Sequence, residues 1–297
     1  MKTAARAIVR RVRKVIARSG ERVLPEFLVI FIFVMRRYKR RFGVFPNVFH
    51  PKTFNEKVLY RMLFDRRPIL PQLEDKYAAR DYVKQKIGEH VLPKWYFVTQ
   101  DPSTIPFDDL PDEFVVKPTH GCHWVRLVPN KALLNRQELI DTCWNWLNQN
   151  YYDISRERAY KHIEPRIVVE ELISDGSGLV PANYRMFVFD GRLELILVDV
   201  RRGESRHFVY YSRSWDKVDV PSRFKDIDVV RPKHLDDMVR YAEILGESLD
   251  FIRVDMYHTQ DKVYFGETTM IPMGGLMSAH PHQFNLYLGS FWKLSVK

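Results

Sequence analysis

From Arg166 to the C-terminus the sequence is built of short apolar runs broken by turn residues: Arg166 to Leu172, Tyr184 to Phe189, Leu193 to Val200, Phe208 to Tyr211, Phe251 to Tyr257 and Lys262 to Glu267. Each has the length and β-branched or aromatic content of a strand. Asp190-Gly191 joins two of these runs, and an Asp-Gly pair between apolar stretches is a strong short-range signal for an antiparallel hairpin. Only one helical pattern, near Leu235 to Leu245, interrupts the series. Regular βα alternation, and with it a doubly wound parallel sheet, is excluded; the pattern predicts an α+β fold of mixed or antiparallel sheets with interspersed helices.

The first half supplies helices and further strands. His50-Pro51-Lys52-Thr53-Phe54-Asn55-Glu56-Lys57 contains a capping box, Thr53 to Glu56, opening a helix whose apolar face includes Val58, Leu59, Met62 and Leu63. A second helix is predicted from about Gln72 to Ile87, ended by Gly88. Trp95 to Val98, Glu113 to Lys117 and Trp124 to Val128 read as strands, and Arg136 to Asn150 as a helix. Four sections follow: a basic segment 1–44, a helical part 45–112, a middle lobe 113–182 and a C-terminal lobe 183–297.

Charge is unevenly spread. Residues 1–41 hold 13 Lys and Arg against Glu21 and Glu26, whereas the other 256 residues hold 34 bases and 35 acids. A nearly neutral body has no broad phosphate-binding face, so no specific nucleic-acid partner is expected. Ile8, Val12, Val15 and Ile16 recur at helical spacing among five bases, a basic amphipathic pattern. Phe27 to Met35 is an unbroken apolar run of nine residues, too short for the ~20 that cross a bilayer. A cluster of bases follows it where a signal peptide would carry its cleavage site, so no export is expected. Two uses suit such a segment best, lying on an anionic membrane surface at its cytoplasmic face or packing the apolar run on the body with the bases in water, ahead of a nucleic-acid arm or an organelle presequence. Cys122 and Cys143 form no disulfide framework and lack zinc spacing.

The chemistry concentrates in a few strands. In a hairpin of Arg253-Val254-Asp255-Met256-Tyr257 with Val263 to Thr269, Asp255 and Glu267 can face one another among apolar neighbours. Buried carboxylates need a cation: either Mg²⁺ completed by substrate phosphates, with Arg253 on the same side of its strand to meet a phosphate oxygen, or Arg253 itself in a structural ion pair. Lys117 ends the apolar strand before Pro118-Thr119-His120-Gly121, a turn able to lie over phosphates. Ile167 to Ile173 ends in Glu170-Glu171-Leu172, able to present backbone groups to a base and a carboxylate to a ribose. Arg185 interrupts an apolar strand and needs an anionic partner. His120 and His123 flank the loop, His280-Pro281-His282 is a weak metal pair, and the loop from Met273 to His282 is a candidate acceptor contact.

Taken in order, these residues resemble the ATP-grasp superfamily. The run from Thr53-Phe54-Asn55-Glu56-Lys57 through Asp75-Lys76-Tyr77, Phe114 to Gly121, Glu170-Glu171, the Arg185 strand and Phe265-Gly266-Glu267 is similar to the teichuronopeptide-biosynthesis type, over about residues 45–295. The resemblance implies an ATP-grasp fold with nucleotide held between two α+β lobes. It implies ATP and Mg²⁺ as cofactors, with Lys76, Lys117, His120, Gly121 and Arg185 around the phosphates, Glu170 to Leu172 as the adenine hinge, and Glu171 at the ribose. Arg253, with Lys117 and Arg185, would stabilise the transferred phosphoryl group, and Asp255 and Glu267 would hold Mg²⁺. At the third metal position, commonly asparagine, stands Thr269, whose hydroxyl is a poorer ligand than an amide carbonyl.

The chemistry implied is activation of a carboxylate as an acylphosphate, then attack by an amine. The expected substrates are a saccharide or lipid-linked saccharide precursor of a cell-surface polysaccharide and an amino-acid or amine acceptor, at the inner face of the cell membrane. A glycosyltransferase or sugar kinase acting on the same precursors, and a non-catalytic nucleotide-binding adaptor, are the alternative readings.

Overall fold

The computed structural model describes residues 25–174, 181–202, 205–220, 227–277 and 282–295. The amphipathic pattern at Ile8 to Ile16 and the pair His280-Pro281 lie outside the described residues. Two antiparallel sheets carry the molecule. The smaller has β1 (Trp95–Thr99), β2 (Phe114–Pro118), β3 (Arg126–Val128) and β4 (Ile167–Glu171) in the order β1-β4-β2-β3. The larger has β5 (Asn183–Phe189), β6 (Arg192–Arg202), β7 (Ser205–Tyr211), β8 (Ile252–His258) and β9 (Val263–Thr269) in the order β7-β6-β5-β8-β9. Sequence and structure agree on the α+β class and on nearly every strand.

Local chemistry explains the element boundaries. The Thr53 hydroxyl accepts the Glu56 N–H at 3.2 Å and the Thr53 N–H donates to Glu56 Oε2 at 3.1 Å, so the capping box starts the helix Phe54–Phe64 as the sequence predicts. Asp190 (φ 48°) and Gly191 (φ 75°) take the two left-handed positions of the β5-β6 hairpin turn, as an Asp-Gly pair permits. The helix predicted from Gln72 to Ile87 is two helices, Ile69–Glu74 and Lys76–Lys86. Asp75 separates them in an extended conformation and accepts the Tyr77 N–H at 2.9 Å, an N-cap inside an otherwise helical pattern. Of the run Trp124 to Val128 only Arg126–Val128 is strand, at the sheet edge.

The main core lies between the larger sheet and the helices Glu26–Phe42, Phe54–Phe64, Leu235–Gly246 and His282–Ser290. A second core under the smaller sheet is formed by Phe114, Val116, Ile167 and Val169 with Leu139, Cys143 and Trp146 of the helix Arg136–Leu147. The apolar run after Glu26 packs on the body along one side. Its helix buries Ile30, Phe31, Val34, Met35 and Tyr38 in the main core, so that side of the run is not available to a bilayer. Arg36, Lys39, Arg40 and Arg41 on the same helix remain exposed. Among the described residues no helix is long and apolar enough to cross a membrane.

Candidate active site

The hairpin β8-β9 sets the geometry. Asp255 pairs with Glu267 across the two strands and with Arg185 on β5, so the three side chains form one row over β5, β8 and β9. Gly266 is an extra residue opposite the junction of Asp255 and Met256, a bulge that re-aims Glu267. Only glycine fits there: a Cβ would stand 3.0 Å from the Asp255 carbonyl oxygen and 2.9 Å from the Tyr257 ring.

Arg253 shares its strand face with Asp255, as alternation requires. Its Nε and Nη2 donate to the two Asp255 oxygens at 2.6 and 2.7 Å, and Nη2 also donates to the Thr269 hydroxyl at 2.9 Å. Arg253 Nη2 is 3.7 Å from Glu267 Oε1, and Arg185 Nε is 3.8 Å from Asp255 Oδ2. Arg185 also pairs with Asp199, which Arg206 shares. The ion-pair alternative is thus present in the structure, yet it does not exhaust the carboxylate. Each Asp255 oxygen keeps a second lone pair, and among the described residues the cations nearest Glu267 stand 3.6 Å away or more.

The opposite wall comes from the smaller sheet and the Asp75 cap. Because Asp75 starts the helix, Lys76 is its first residue. Its Nζ donates to the Gly121 carbonyl at 2.8 Å and lies 3.6 Å from Glu267 Oε2, tying the loop after β2 to the larger sheet. Lys117 on β2 pairs with Glu170 on β4, whose other oxygen accepts the Trp95 indole N–H at 3.1 Å. The cleft between the walls is narrow and open to solvent, and is lined by Lys76, Lys117, Glu170 and Glu267 together with Arg80, Trp95 and Phe265.

Electrostatics at the carboxylate pair run in opposite directions. Burial lifts the Asp255 carboxyl above its ordinary range against the pull of Arg253, and Glu267 adds to the lift. Burial acts the same way on Glu267, but Lys76, Arg253, Lys117 and Arg185 together hold it below the usual value. Burial opposes the charge of Lys76, which Glu267 nevertheless holds above its ordinary pKa. Lys76 and Arg253 thus stand next to this carboxylate, while Lys117 and Arg185, paired with Glu170 and Asp199, act on it from further off, a positive field suited to a polyphosphate.

Two facing carboxylates fit one Mg²⁺ whose remaining positions are filled by phosphate oxygens and water, the usual way this ion is bound. An all-protein cage is not offered. Among the described residues no three His, Cys, Asp or Glu side chains come together as a metal cluster, and the Thr269 hydroxyl already accepts from Arg253.

Other sequence candidates stand at different distances from this centre. Glu171 turns its carboxylate to the Lys94 N–H and the Tyr264 hydroxyl, each 3.0 Å away, and Leu172, next along the chain, is half-buried. His120 is buried, its Nε2 3.0 Å from the Trp146 carbonyl oxygen and its ring against Trp124, so it packs towards the helix Arg136–Leu147. Gly121 holds the close approach of Trp124, whose ring an added Cβ would meet at 2.3 Å. Sequence reasoning passed over Arg80, Trp95 and Glu74. Arg80 lies one helical turn after Lys76 and stacks on Trp95 at 4.4 Å, a spacing that would have placed it on the cleft side.

A model of the TupA-like ATP-grasp family matches residues 56–293. No curated protein sequence matches the chain. Among solved structures it is similar to D-alanine–D-alanine ligase from Bacillus anthracis complexed with ATP, at 16% identity and TM-score 0.43 over 73% of this chain and 60% of that one. It is also similar to an ADP complex of N5-carboxyaminoimidazole ribonucleotide synthetase, at 14% identity and TM-score 0.41 over 72% of this chain and 46% of that one. A third similarity is to the ATP-grasp ligase PsnB with minimal precursor, Mg and ADP, at 16% identity and TM-score 0.39, covering 69% of this chain and 53% of that one. The chain thus spans about half to three fifths of the length of these structures.

Proposed function

The chain belongs to the TupA-like ATP-grasp family, and from that premise we propose that it is a Mg²⁺- and ATP-dependent ligase that activates a carboxylate as an acylphosphate for attack by an amine. The observation that carries this reading is Glu267, which lines a cleft between two sheets together with Lys76 and Lys117 and which Arg253, Arg185 and the paired carboxylate of Asp255 approach from the strands behind it. Lys76 and Lys117 neutralise phosphate charge, Glu170 to Leu172 edge the base and Glu171 the ribose, while Arg253 and Arg185 face the transferred phosphoryl group. Asp255 and Glu267 hold the Mg²⁺, which when bound neutralises charge on the phosphates. Such chemistry depends on fixed dipoles and charges rather than on a protein nucleophile.

The substrates proposed are a carboxylate on a saccharide or lipid-linked saccharide precursor of a cell-surface polysaccharide and an amine acceptor. Glu267→Gln tests the ligase directly. It keeps shape and removes the charge on which the cations converge, so ADP release in the presence of carboxylate and amine should fall by about 10² to 10³. An adaptor would keep its partner binding in this variant, and ADP formation without any amine would point to a kinase.

The site of action proposed is the cytoplasmic face of an anionic membrane. Lys39 and Arg40 are exposed, Lys39 lies 4.5 Å over the exposed Phe45 ring, and Val44 and Phe49, close by in sequence, are exposed apolar residues too. Bases next to apolar side chains suit a phosphatidylserine surface, each contributing about 1 kcal/mol. Substituting Lys39→Glu and Arg40→Glu together should weaken binding to phosphatidylserine vesicles about 30-fold or more, with little change on neutral phosphatidylcholine vesicles. Equal sedimentation of both proteins with both vesicle types would contradict this placement.

A further inference from the structure

A second group of buried charges has no part in the phosphate site. Glu157, just after the short helix Tyr151–Ser155, is 7% exposed, and its carboxylate makes no hydrogen bond or ion pair with a described residue. Its own backbone N–H is satisfied by the Ser155 hydroxyl at 3.1 Å. Arg37, on the helix Glu26–Phe42, rests over the Phe33 ring at 5.0 Å and likewise has no ion-pair partner among the described residues. The two face the same point. A Cβ added to Gly274 would stand 3.8 Å from Arg37 Nη1 and 3.8 Å from Glu157 Oε1.

Gly274 therefore floors a gap between two opposite charges that sense one another but do not pair. Its φ of 58°, with 52° at Met273 and 70° at Gly275, gives the chain a left-handed turn that brings backbone, not side chain, to the gap. Close by, Glu74 is committed: its carboxylate accepts the Tyr160 hydroxyl and the Met270 N–H, both at 2.7 Å. The Cys122 thiol lies within electrostatic reach of Glu267 and Lys76 as well as of Glu74 and Glu157, so the gap and the phosphate site are neighbours.

A buried, unpartnered carboxylate is costly, and a fold that keeps one open leaves a place for a cation. Burial and the charge of Glu74 push the Glu157 carboxyl well up, which an arriving ammonium would reverse. A simple amine would leave Arg37 unmatched, and a dicarboxylate would meet Glu157 and Glu74. The ligand that matches both charges within so small a gap carries them on one carbon.

We propose that the gap over Gly274 is the subsite for a free α-amino acid, its ammonium on Glu157 and its carboxylate on Arg37. Resting on the ligase reading, this makes the amino acid the amine substrate. The ammonium first gives one proton to Glu157, the freed nitrogen lone pair forms the C–N bond at the acylphosphate carbon, the C–O bond to the phosphorus-bearing oxygen breaks with phosphate taking the electron pair, and the second nitrogen proton leaves with that phosphate. Arg37 precedes the residues matched by the family model, so helix Glu26–Phe42 brings it to the subsite from outside the matched region.

The test is calorimetric binding of the standard L-amino acids and D-alanine to the full chain, with and without Mg-AMPPNP, beside propionate and ethylamine as half-ligands. At least one amino acid should bind more tightly than either half-ligand. Glu157→Gln and Arg37→Gln should each weaken it about tenfold or more while leaving Mg-ATP binding unchanged. Absence of amino-acid binding in both conditions, equal binding of a half-ligand, or binding unaffected by both variants would overturn the subsite. Variant-sensitive amino-acid binding by a protein that does not bind Mg-ATP would keep the subsite and remove the ligase.

Discussion

Replacing Arg253 with methionine is expected to cost about 3 to 5 kcal/mol of folding stability and to abolish turnover. The stability loss follows from what stays behind. Asp255 is 1% exposed and receives both prongs of the Arg253 guanidinium; without them its nearest cation is Arg185, 3.8 Å away and already committed to Asp199. A buried charge stripped of its partner is far worse off than a pair removed together. The double change Arg253→Met with Asp255→Leu should therefore recover most of the lost stability while remaining inactive. Urea unfolding of the two variants measures the first effect and ADP release the second. Equal destabilisation of single and double variants would show that the pair is not the source of the cost.

The second large effect is expected far from the cleft. Arg61 is 2% exposed and donates to Asp250 at 2.7 Å and to the carbonyls of Phe251 and Met270 at 3.0 and 2.9 Å, the residues just before β8 and just after β9. Asp250 also accepts from Arg67 and from the Trp292 indole, at 2.7 and 2.9 Å. Arg61 thus fixes both ends of the hairpin that carries Asp255 and Glu267. Burial pulls its pKa down to about 10, still charged at neutrality. Arg61→Met should cost about 3 to 5 kcal/mol, and Arg61→Lys should recover little, since an ammonium cannot span the three acceptors.

The same network sets an acid limit. Burial would raise the Asp250 carboxyl, but Arg61, Trp292 and Arg67 hold it below its ordinary value. A carboxylate whose pKa is depressed by folding stabilises above its unfolded value and loses that contribution as pH falls through the folded one. Denaturation midpoints should therefore decline from about pH 4 downwards, and the decline should flatten in Asp250→Asn.

What was legible in the sequence was whatever a few neighbouring residues decide. Thr53 and Glu56 make their own cap, Asp190-Gly191 its own turn, and the spacing of Arg253, Asp255 and Glu267 follows from strand alternation and one hairpin. The row of Arg185, Asp255 and Glu267 side chains was readable for that reason. The rest depended on partners remote in sequence. Strand β4 inserts between β1 and β2, so the pairing of Lys117 with Glu170 and Trp95 rests on a strand order that no local pattern encodes. Phe27 to Met35 suits a membrane interface as well as a core; Phe64, whose ring lies 5.8 Å from Phe27, belongs to the partner surface that decides. Asp75 hid within a helical period, where its side chain rather than periodicity places Lys76 at the cleft. His120 looked like a loop ligand because its buried acceptor, the Trp146 carbonyl, is supplied by a distant helix.

The central claim is that the cleft between the sheets is a Mg-ATP site built on Lys117 and the cations around Glu267. Thermal unfolding with and without Mg-ATP, in the native chain and in Lys117→Ala, tests it most directly. At ~100 times its dissociation constant the nucleotide should add about 2.7 kcal/mol and raise the Tm by several degrees in the native chain, an effect lost or strongly reduced in the variant. No shift in the native chain, or the same shift in both proteins, would contradict the account.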